Sequence, residues 1–290
     1  MQKIRNFLKN ALLLPILVGI ATTITAQDLR VMTYNIRFDN PADSLNSWTH
    51  RREYLVAQVA HYAPDVLGTQ EGLIHQLEAM EQGLEGYRLF GVGRDRGDRE
   101  GEHTAIFYRG DRLELLGSGT FWLSETPDRP SRGWDAALNR ICTFGQFRNR
   151  ETGQAFYVFN THFDHIGQQA RLESVRLILQ KISEFNREGY PAVLLGDLNL
   201  EPGSPPIQEL ASDLEDAHTL AGAAAYGPPG TFNGFDCTQP ATRRIDYVFL
   251  SPGDFEVKNH SILGETTGFG FPSDHFPVLA DLRFIADQAD

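Results

Sequence analysis

Apolar residues recur along the chain with two periods, and these periods predict which stretches are helices and which are strands. Apolar positions three to four residues apart predict helices over 51–62, 73–82 and 168–185. Apolar runs bounded by turn residues predict strands over 29–36, 65–70, 87–92, 105–109, 113–123, 141–147, 155–162, 192–197, 245–250, 255–263 and 277–284. A short helix is expected within 202–211 and a loop over 221–239. Hairpins mixed with helical crossovers predict one α/β domain, with helices packed outside β-sheet layers.

Residues 1–26 have the organisation of a secretory signal peptide. Lys3, Arg5 and Lys9 precede a short apolar run over 11–20, and Ala26 stands at the expected cleavage position. Because the run is too short to span a bilayer comfortably, we expect cleavage rather than a stable membrane anchor. The sequence therefore predicts an extracytoplasmic protein, periplasmic or secreted, whose domain occupies residues 27–290.

Polar side chains stand at the ends of several predicted strands. They are Asn35, Glu71, His162, Asp197 and Asn199 after early strands, and Asp246, Asp274 and His275 before two late strands. If the late strands run antiparallel to the early ones, all of these groups meet at one rim. The rims of sheets are where α/β proteins build their sites.

The chemistry of this set points to a bound cation and to acid–base catalysis. Its four carboxylates repel one another unless a cation lies among them. Oxygen ligands without a thiolate favour Mg²⁺ or Mn²⁺ over zinc. The two histidines suit acid–base work, and the two asparagines can orient a water or an oxyanion without adding charge. Together these groups suit the attack of water on phosphorus.

Six separated motifs, in this order, resemble those of the endonuclease/exonuclease/phosphatase superfamily. They are Thr-Tyr-Asn-Ile-Arg at 33–37, Thr-Gln-Glu at 69–71, Asn-Thr-His-Phe-Asp-His at 160–165, Gly-Asp-Leu-Asn at 196–199, Arg-Ile-Asp-Tyr-Val-Phe at 244–249 and Ser-Asp-His-Phe-Pro-Val at 273–278. Segments 91–140 and 231–235 look most like bacterial relatives of the nocturnin/deadenylase branch. Abasic-site endonucleases of the family carry Asp where this chain has Arg37, so abasic-site repair is disfavoured.

The resemblance implies a fold and a metal. The fold is a DNase-I-like, four-layer α/β sandwich, in which two mixed β-sheets pack face to face with helices outside. The activity is Mg²⁺-dependent hydrolysis of a phosphoric ester, with Mn²⁺ as a substitute. Glu71 corresponds to the main metal ligand of the family, helped by Asn35 and Asp274.

The resemblance also implies catalytic roles. Asp197 would orient or deprotonate the attacking water, and Asn199 would hold that water or a phosphoryl oxygen. His275, steadied by Asp246, would stabilise the phosphate or act as the base. His162 would contact the phosphate or protonate the leaving group. Whether Asp197 or His275 takes the proton stays open, because coupled groups titrate as a unit.

Four further residues are predicted to bind substrate. Arg94 and Glu102 lie in a loop that borders the site in the family. Arg140 is a candidate second phosphate anchor. Asp164 would contact the substrate or shape its own loop. The run from His162 also faintly resembles a zinc motif of metallo-β-lactamase-like hydrolases, but that motif needs a histidine at position 160, which is Asn.

Composition narrows the substrate class. Two cysteines and no Cys-x-x-Cys exclude a disulfide scaffold and a zinc ribbon. The formal net charge is −12, and loss of residues 1–26, with three cations and no acid, makes it −15. An acidic surface repels phosphate backbones, so we expect the substrate to be a phosphorylated small molecule or a lipid-linked phosphate. We also expect the protein to be a monomer. The alternatives are a nuclease acting on DNA or RNA, which needs a basic or aromatic groove, and a non-catalytic binding module on the same fold.

Overall fold

The computed structural model describes residues 28–266, 268 and 270–285. The predicted signal peptide, residues 1–26, lies outside these residues and stays a prediction. Within the described part of the chain, no helix has both the length and the apolar character needed to cross a membrane.

The described residues form thirteen strands and five helices. The strands are β1 (Asp28–Asn35), β2 (Val66–Gln70), β3 (Tyr87–Phe90), β4 (Ile106–Arg109), β5 (Leu113–Trp122), β6 (Ile141–Asn149), β7 (Ala155–His162), β8 (Ala192–Asp197), β9 (Glu215–Asp216), β10 (Ala225–Tyr226), β11 (Asp246–Leu250), β12 (Phe255–Ile262) and β13 (Val278–Phe284). The helices are α1 (Trp48–Tyr62), α2 (Ile74–Gly83), α3 (Gln168–Phe185), α4 (Pro205–Leu210) and α5 (Ala217–Ala221). Two short 3₁₀ helices cover Pro41–Asn46 and Gly222–Ala224.

The strands form two mixed sheets. One has the order β10-β12-β13-β1-β2-β4-β3, and the other has the order β5-β6-β7-β8-β11-β9. β1 runs parallel to β2, and β7 runs parallel to β8. The late strands run antiparallel to their early neighbours, β13 to β1 and β11 to β8, which meets the condition for the polar strand ends to share one rim.

Successive side chains of a strand point to opposite faces, and this alternation builds the layers. On β1, Val31 points between the sheets and packs in one cluster with Val66, Val158 and Val193. Its neighbour Met32 points outward, toward α1 and α2. Apolar residues of α3 and α4 cover the outer face of the other sheet in the same way. The predicted four-layer sandwich is confirmed.

Arg51 on α1 ties together two segments that carry site residues. Its side chain is buried, with 4% of the residue exposed, and it donates to main-chain carbonyls on several loops. Nη1 bonds the carbonyls of Ile36 (2.5 Å) and Pro272 (3.1 Å), and Nη2 bonds that of Arg37 (2.6 Å). One guanidinium therefore holds the end of β1 beside the segment that precedes β13.

A buried histidine lies on β12, away from the rim. His260 is 1% exposed, and its Nδ1 has no hydrogen-bond partner among the described residues. The ring of His218 on α5 meets it edge-on, with centroids 5.0 Å apart, and Arg244 and Asp216 form an ion pair nearby at 2.7 Å. Burial, with smaller contributions from His218 and Arg244, lowers the pKa of His260 to about 4, although Asp216 opposes the shift.

Candidate functional site

The predicted rim exists, and it surrounds a cavity of about 360 Å³. In the register of β8 and β11, Asp197 stands directly opposite Asp246, so the end of an early strand meets the start of a late one. The cavity is lined by nine of the twelve predicted site residues: Glu71, Arg94, Glu102, Arg140, His162, Asp197, Asn199, Asp274 and His275. The other three, Asn35, Asp164 and Asp246, lie behind this wall.

Three residues at the rim have left-handed backbone conformations. They are Arg37 (φ 55°), Glu71 (φ 65°) and Asn199 (φ 50°). Such conformations cost a non-glycine residue on the order of 1–3 kcal/mol, and they cluster at functional sites. Here each one follows a strand end, where the chain turns sharply, and Arg37, Glu71 and Asn199 all line the cavity.

Asn35 sits between two carboxylates. Its Nδ2 donates to Glu71 Oε1 at 3.0 Å and to Asp197 Oδ2 at 2.9 Å. Its Oδ1 accepts the backbone N–H of Arg37 at 3.0 Å. Asn35 therefore orients both acids from behind, and its role as a metal ligand stays a prediction.

The donor set at the cavity wall fits a hard divalent cation. Glu71 Oε2 and Asp274 Oδ2 both lie near Nη1 of Arg37, at 4.0 and 3.8 Å, so one positive charge faces two acids. Burial and the proximity of Glu71 raise the pKa of Asp274, against the opposing effects of His275 and Arg37. Two carboxylates that share one guanidinium at a cavity wall offer the oxygen ligands that a hard divalent cation prefers.

A second group of potential ligands lies deeper. Ligand atoms of Asp197, Asp246 and His275 lie within 4.8 Å of one another. In this group, however, His275 Nδ1 and Asp246 Oδ2 already share a hydrogen bond of 2.9 Å. Glu71 accepts hydrogen bonds from Asn35 Nδ2 and from the Phe38 N–H, but Glu71 and Asp274 share none with each other, and both line the cavity, so this pair fits a resident cation better.

The pKa values of the two imidazoles are shifted in opposite directions. Burial alone would lower the pKa of His275, but Asp246 and Asp197 outweigh it and raise this pKa well above 6.5. The pKa of His162 is lowered well below 6.5, first by burial and then by Arg140 and Arg94. When the pKa values of two titratable groups are shifted apart, one group is suited to donate a proton or hydrogen bond and the other to accept it. Here His275 is the group suited to donate.

Asp197 lies between these rings. Its Oδ2 is 3.5 Å from Nε2 of His162 and 3.7 Å from Nε2 of His275. Burial, and then the charge of Asp246, raise the pKa of Asp197 to about 7. Asn199 joins the group through Nδ2, 3.2 Å from His162 Nε2. A carboxylate of this pKa is suited to accept a proton near neutral pH.

Of the two roles predicted for Asp164, its position supports the shaping of its loop and not direct contact with the substrate. It is 1% exposed and does not line the cavity. Its Oδ1 accepts the amides of Ile166 (3.0 Å) and Gly167 (2.8 Å), and its Oδ2 accepts the amides of Ala137 (3.1 Å) and Leu138 (3.3 Å) and Nε of Arg140 (3.4 Å). One carboxylate therefore joins two loops that border the cavity. Burial alone would raise the pKa of Asp164. The hydrogen bonds from backbone amides outweigh burial and lower this pKa.

Arg140 carries the anion-binding capacity of the wall. It is 4% exposed, and its Nη2 meets His165 Nδ1 at 3.1 Å. Its Nη1 is buried and has no hydrogen-bond partner among residues 28–285 as described. A guanidinium nitrogen that lacks an acceptor at a cavity wall fits an anionic oxygen of a ligand.

The loop with Arg94 and Glu102 is fixed in place. Arg94 makes a bidentate pair with Glu102, at 2.6 and 2.7 Å. The carbonyl of Arg94 accepts Trp122 Nε1 at 2.7 Å, so the buried Trp122 also anchors the rim. At Gly93 the carbonyl of Glu100 comes within 2.0 Å of where a Cβ would stand, so any larger residue would displace the loop.

The sequence prediction missed several wall residues. Arg37, His165, Phe232 and Arg243 also line the cavity. The ring of Phe232 meets His275 edge-on at 5.1 Å, and Arg243 lies 5.5 Å above Phe232. Each of the four lies inside or next to a motif used for the resemblance, so position within those motifs was the available signal.

Known proteins resemble this chain over most of its length. A mannosyl-6-phosphatase of Bacteroides thetaiotaomicron is 42% identical, with a TM-score of 0.83 over 88% of this chain and 99% of that one. An endonuclease/exonuclease/phosphatase family protein of the same species is 41% identical, with a TM-score of 0.85 over 90% and 99%. Nocturnin of Drosophila melanogaster is 24% identical over 90% of this chain and 48% of its own. The chain spans about half the length of that curated relative.

A family model extends the match across the whole rim. The model of the Endonuclease/Exonuclease/phosphatase family matches residues 32–275, which include every residue predicted for the site. Members of this family are metal-dependent hydrolases of phosphoric esters. The chain belongs to the endonuclease/exonuclease/phosphatase family.

Proposed function

We propose that the chain is an exported, Mg²⁺-dependent phosphomonoesterase that acts on a phosphorylated sugar. The observation that carries this proposal is the size and lining of the cavity. Its volume of about 360 Å³ lies at the low end of the range for small-molecule sites, and acids, imidazoles and guanidiniums all line it. The 42% identity to a mannosyl-6-phosphatase supports the sugar as the alcohol.

Metal binding falls to the acids of the wall. Glu71 and Asp274 would hold Mg²⁺, with Mn²⁺ as a substitute, and Asn35 would keep Glu71 in place. The ion, when bound, would draw charge from the phosphoryl oxygens and lower the pKa of the attacking water.

The remaining residues have roles that follow from their charge states. Asp197 accepts the proton of the attacking water as the new P–O bond forms. The P–O bond to the sugar breaks, and the departing sugar oxygen takes a proton from solvent. Protonated His275, held by Asp246, donates to a phosphoryl oxygen, where charge accumulates in the transition state. Arg140 offers its unpaired Nη1 to a second oxygen. A neutral His162 keeps one N–H, so a hydrogen bond to the phosphate or the water suits it better than proton transfer to the leaving group.

The nuclease alternative rests on the curated relatives. The Ccr4 3′-5′-exoribonuclease subunit of Mycosarcoma maydis is 23% identical over 89% of this chain. A nuclease binds a strand along a basic groove and stacks bases on aromatic residues. The acidic net charge of −12 and the small volume of the cavity, about 360 Å³, favour the smaller substrate.

Export and oligomeric state complete the proposal. The basic start and short apolar run of residues 1–26 support export to the periplasm or beyond. A monomer is the proposed oligomeric state. Sugar phosphates outside the cytoplasm would then be the natural substrates.

A substrate panel tests the proposal. Mannose 6-phosphate, glucose 6-phosphate, bis(p-nitrophenyl) phosphate, an oligoadenylate and plasmid DNA are each incubated with Mg²⁺ or with EDTA, and Asp197→Asn serves as the inactive control. We expect Mg²⁺-dependent release of phosphate from a sugar phosphate at least 100-fold faster than any cleavage of a diester. Shortening of the oligoadenylate without release of phosphate from the sugars would refute the proposal.

A further inference from the structure

A second concavity lies beside the catalytic cavity, between the start of α3 and the start of α4. Its volume is about 430 Å³, and most of its lining is apolar. Leu172 and Leu200 form its sides, with Pro205 and Pro206 at the α4 end. We call this feature, lined by residues of 168–172 together with Leu200 and 204–206, the α3–α4 groove.

Residues that line the α3–α4 groove lie close in the sequence to residues that line the catalytic cavity. Asn199 lines the cavity and the next residue, Leu200, lines the groove. Likewise His165 lines the cavity, and Gln168, three residues later, lines the groove. Adjacent Cα atoms are about 3.8 Å apart, so the cavity and the groove border each other at Asn199 and Leu200. Ile166 stands between the two with 62% of its surface exposed.

Two polar atoms in this groove lack partners. Arg171 Nε and Ser204 Oγ are buried and make no hydrogen bond within the part of the chain that the structure describes. Arg171 is fixed by its Nη1, which donates to the carbonyl of Asp164 at 3.2 Å. Ser204 is the N-cap residue of α4, yet its side chain makes no cap hydrogen bond. Buried polar groups are nearly always paired in native proteins, so an exception needs an explanation such as a bound ligand.

The lining restricts what such a ligand is. Leucine and proline side chains offer C–H surface, while the unpaired groups offer one donor and one hydroxyl. A fatty chain would leave both polar atoms unpaired. The residues that line the groove include no aromatic side chain on which a nucleobase would stack. A sugar ring satisfies both features, because it has an apolar C–H face and peripheral hydroxyls.

We propose that the α3–α4 groove binds a second sugar residue, linked to the phosphorylated sugar that lies in the catalytic cavity. This inference rests on the proposed function, since it assumes that a sugar phosphate occupies the cavity. The protein is then selective for phosphorylated disaccharides and longer glycans over phosphorylated monosaccharides. The selectivity comes from contacts of the uncharged sugar, far from the reacting phosphorus.

Steady-state kinetics on two substrates test this selectivity. The probes are mannose 6-phosphate and a mannobiose that carries one phosphate at C6, and the readout is the ratio of their kcat/KM values. We expect a ratio of at least 10 in favour of the mannobiose for the wild-type protein. Ser204→Tyr, which fills the groove, should bring the ratio close to 1. Ser212→Tyr, at an exposed turn after α4, should keep it at the wild-type value.

The outcomes separate the groove from the proposed function. A wild-type ratio near 1, with phosphate released from both probes, refutes the groove and leaves the proposed function standing. Release from neither probe refutes the proposed function itself, and the subsite with it. Leu172→Gln is a second groove variant with a smaller change, and it is used if Ser204→Tyr does not fold. A wild-type ratio that persists in both groove variants also overturns the inference.

Discussion

Replacing the carboxylate of Asp164 with the isosteric amide tests how the rim is held together. In Asp164→Asn one acceptor oxygen remains, and an NH₂ group replaces the other. Whichever way the amide turns, it points N–H groups at two or more N–H donors. The turn over 164–167 and the loop over 133–140 then compete for the single remaining oxygen.

The magnitude follows from these contacts. A buried N–H group left without an acceptor costs about 1–3 kcal/mol, and breaking a buried ion pair costs about 3–5 kcal/mol. These terms overlap, and the contact between Asp164 and Arg140 is long at 3.4 Å, so we expect a loss of about 3 kcal/mol. A domain with about 5–15 kcal/mol of stability stays folded after this loss. Because Arg140 loses its anchor, kcat/KM for mannose 6-phosphate should fall at least tenfold.

Urea unfolding followed by circular dichroism gives the stability change, and phosphate release gives the kinetic change. Asp128→Asn, at an exposed aspartate, is the matched control and should change neither quantity. The pKa of Asp164 is lowered in the folded protein, so its stabilisation is present at neutral pH and is lost as the pH falls through this lowered pKa. A loss below about 1 kcal/mol with unchanged kcat/KM would show that Asp164 does not organise the rim.

Three further changes probe the catalytic pair, the buried histidine and the rim loop. His275→Ala should lower kcat at least 1000-fold in the phosphate-release assay, because the donor to the phosphoryl oxygen is lost, while circular dichroism stays unchanged. For His260, the unfolded state binds more protons than the folded state between pH 6.5 and 4, so stability falls as the pH falls through this window. The free energy of unfolding, measured in urea, differs between pH 7.5 and pH 4.5, and His260→Leu should reduce this difference by about 2–3 kcal/mol. Trp122→Phe replaces the indole with a smaller aromatic ring and removes the donor to the Arg94 carbonyl, so KM for mannose 6-phosphate should rise three- to tenfold.

Each of these predictions has a result that contradicts it. Near-native turnover by His275→Ala would make the assigned mechanism wrong. If His260→Leu kept the full acid sensitivity of the wild-type protein, the neutral buried imidazole would not be its source. His50→Gln, at an exposed histidine, is the control for that comparison. An unchanged KM in Trp122→Phe would mean that other contacts fix the loop.

Long periodic segments could be predicted from the sequence, because their burial pattern repeats. The predicted bounds of β7, β8 and α3 agree with the structure. α1 begins at Trp48, three residues before the predicted start, because Trp48 is buried beneath Arg51 and extends the packed face. β9, β10 and α5 were missed, since elements of two to five residues leave no period to detect.

The rim residues were predictable for a different reason. A strand that ends in a polar group places that group at a sheet edge, and antiparallel pairing brings two such edges together. What a linear pattern could not give is the direction in which a side chain points. The sequence therefore did not separate Asp164, which faces two loops, from Arg140, which faces the cavity. The left-handed turns at Arg37 and Glu71 have no sequence signal either, since neither residue favours that conformation.

The dependence of turnover on Mg²⁺ concentration tests most directly whether the gathered acids serve a metal-dependent hydrolase. Phosphate release from mannose 6-phosphate is followed for the wild-type protein and for Glu71→Gln as Mg²⁺ is added back after EDTA treatment. We predict that EDTA abolishes wild-type turnover, that Mg²⁺ restores it, and that Glu71→Gln needs at least tenfold more Mg²⁺ for half-maximal rate. Turnover that persists in EDTA, or equal Mg²⁺ requirements for the two proteins, would contradict the account.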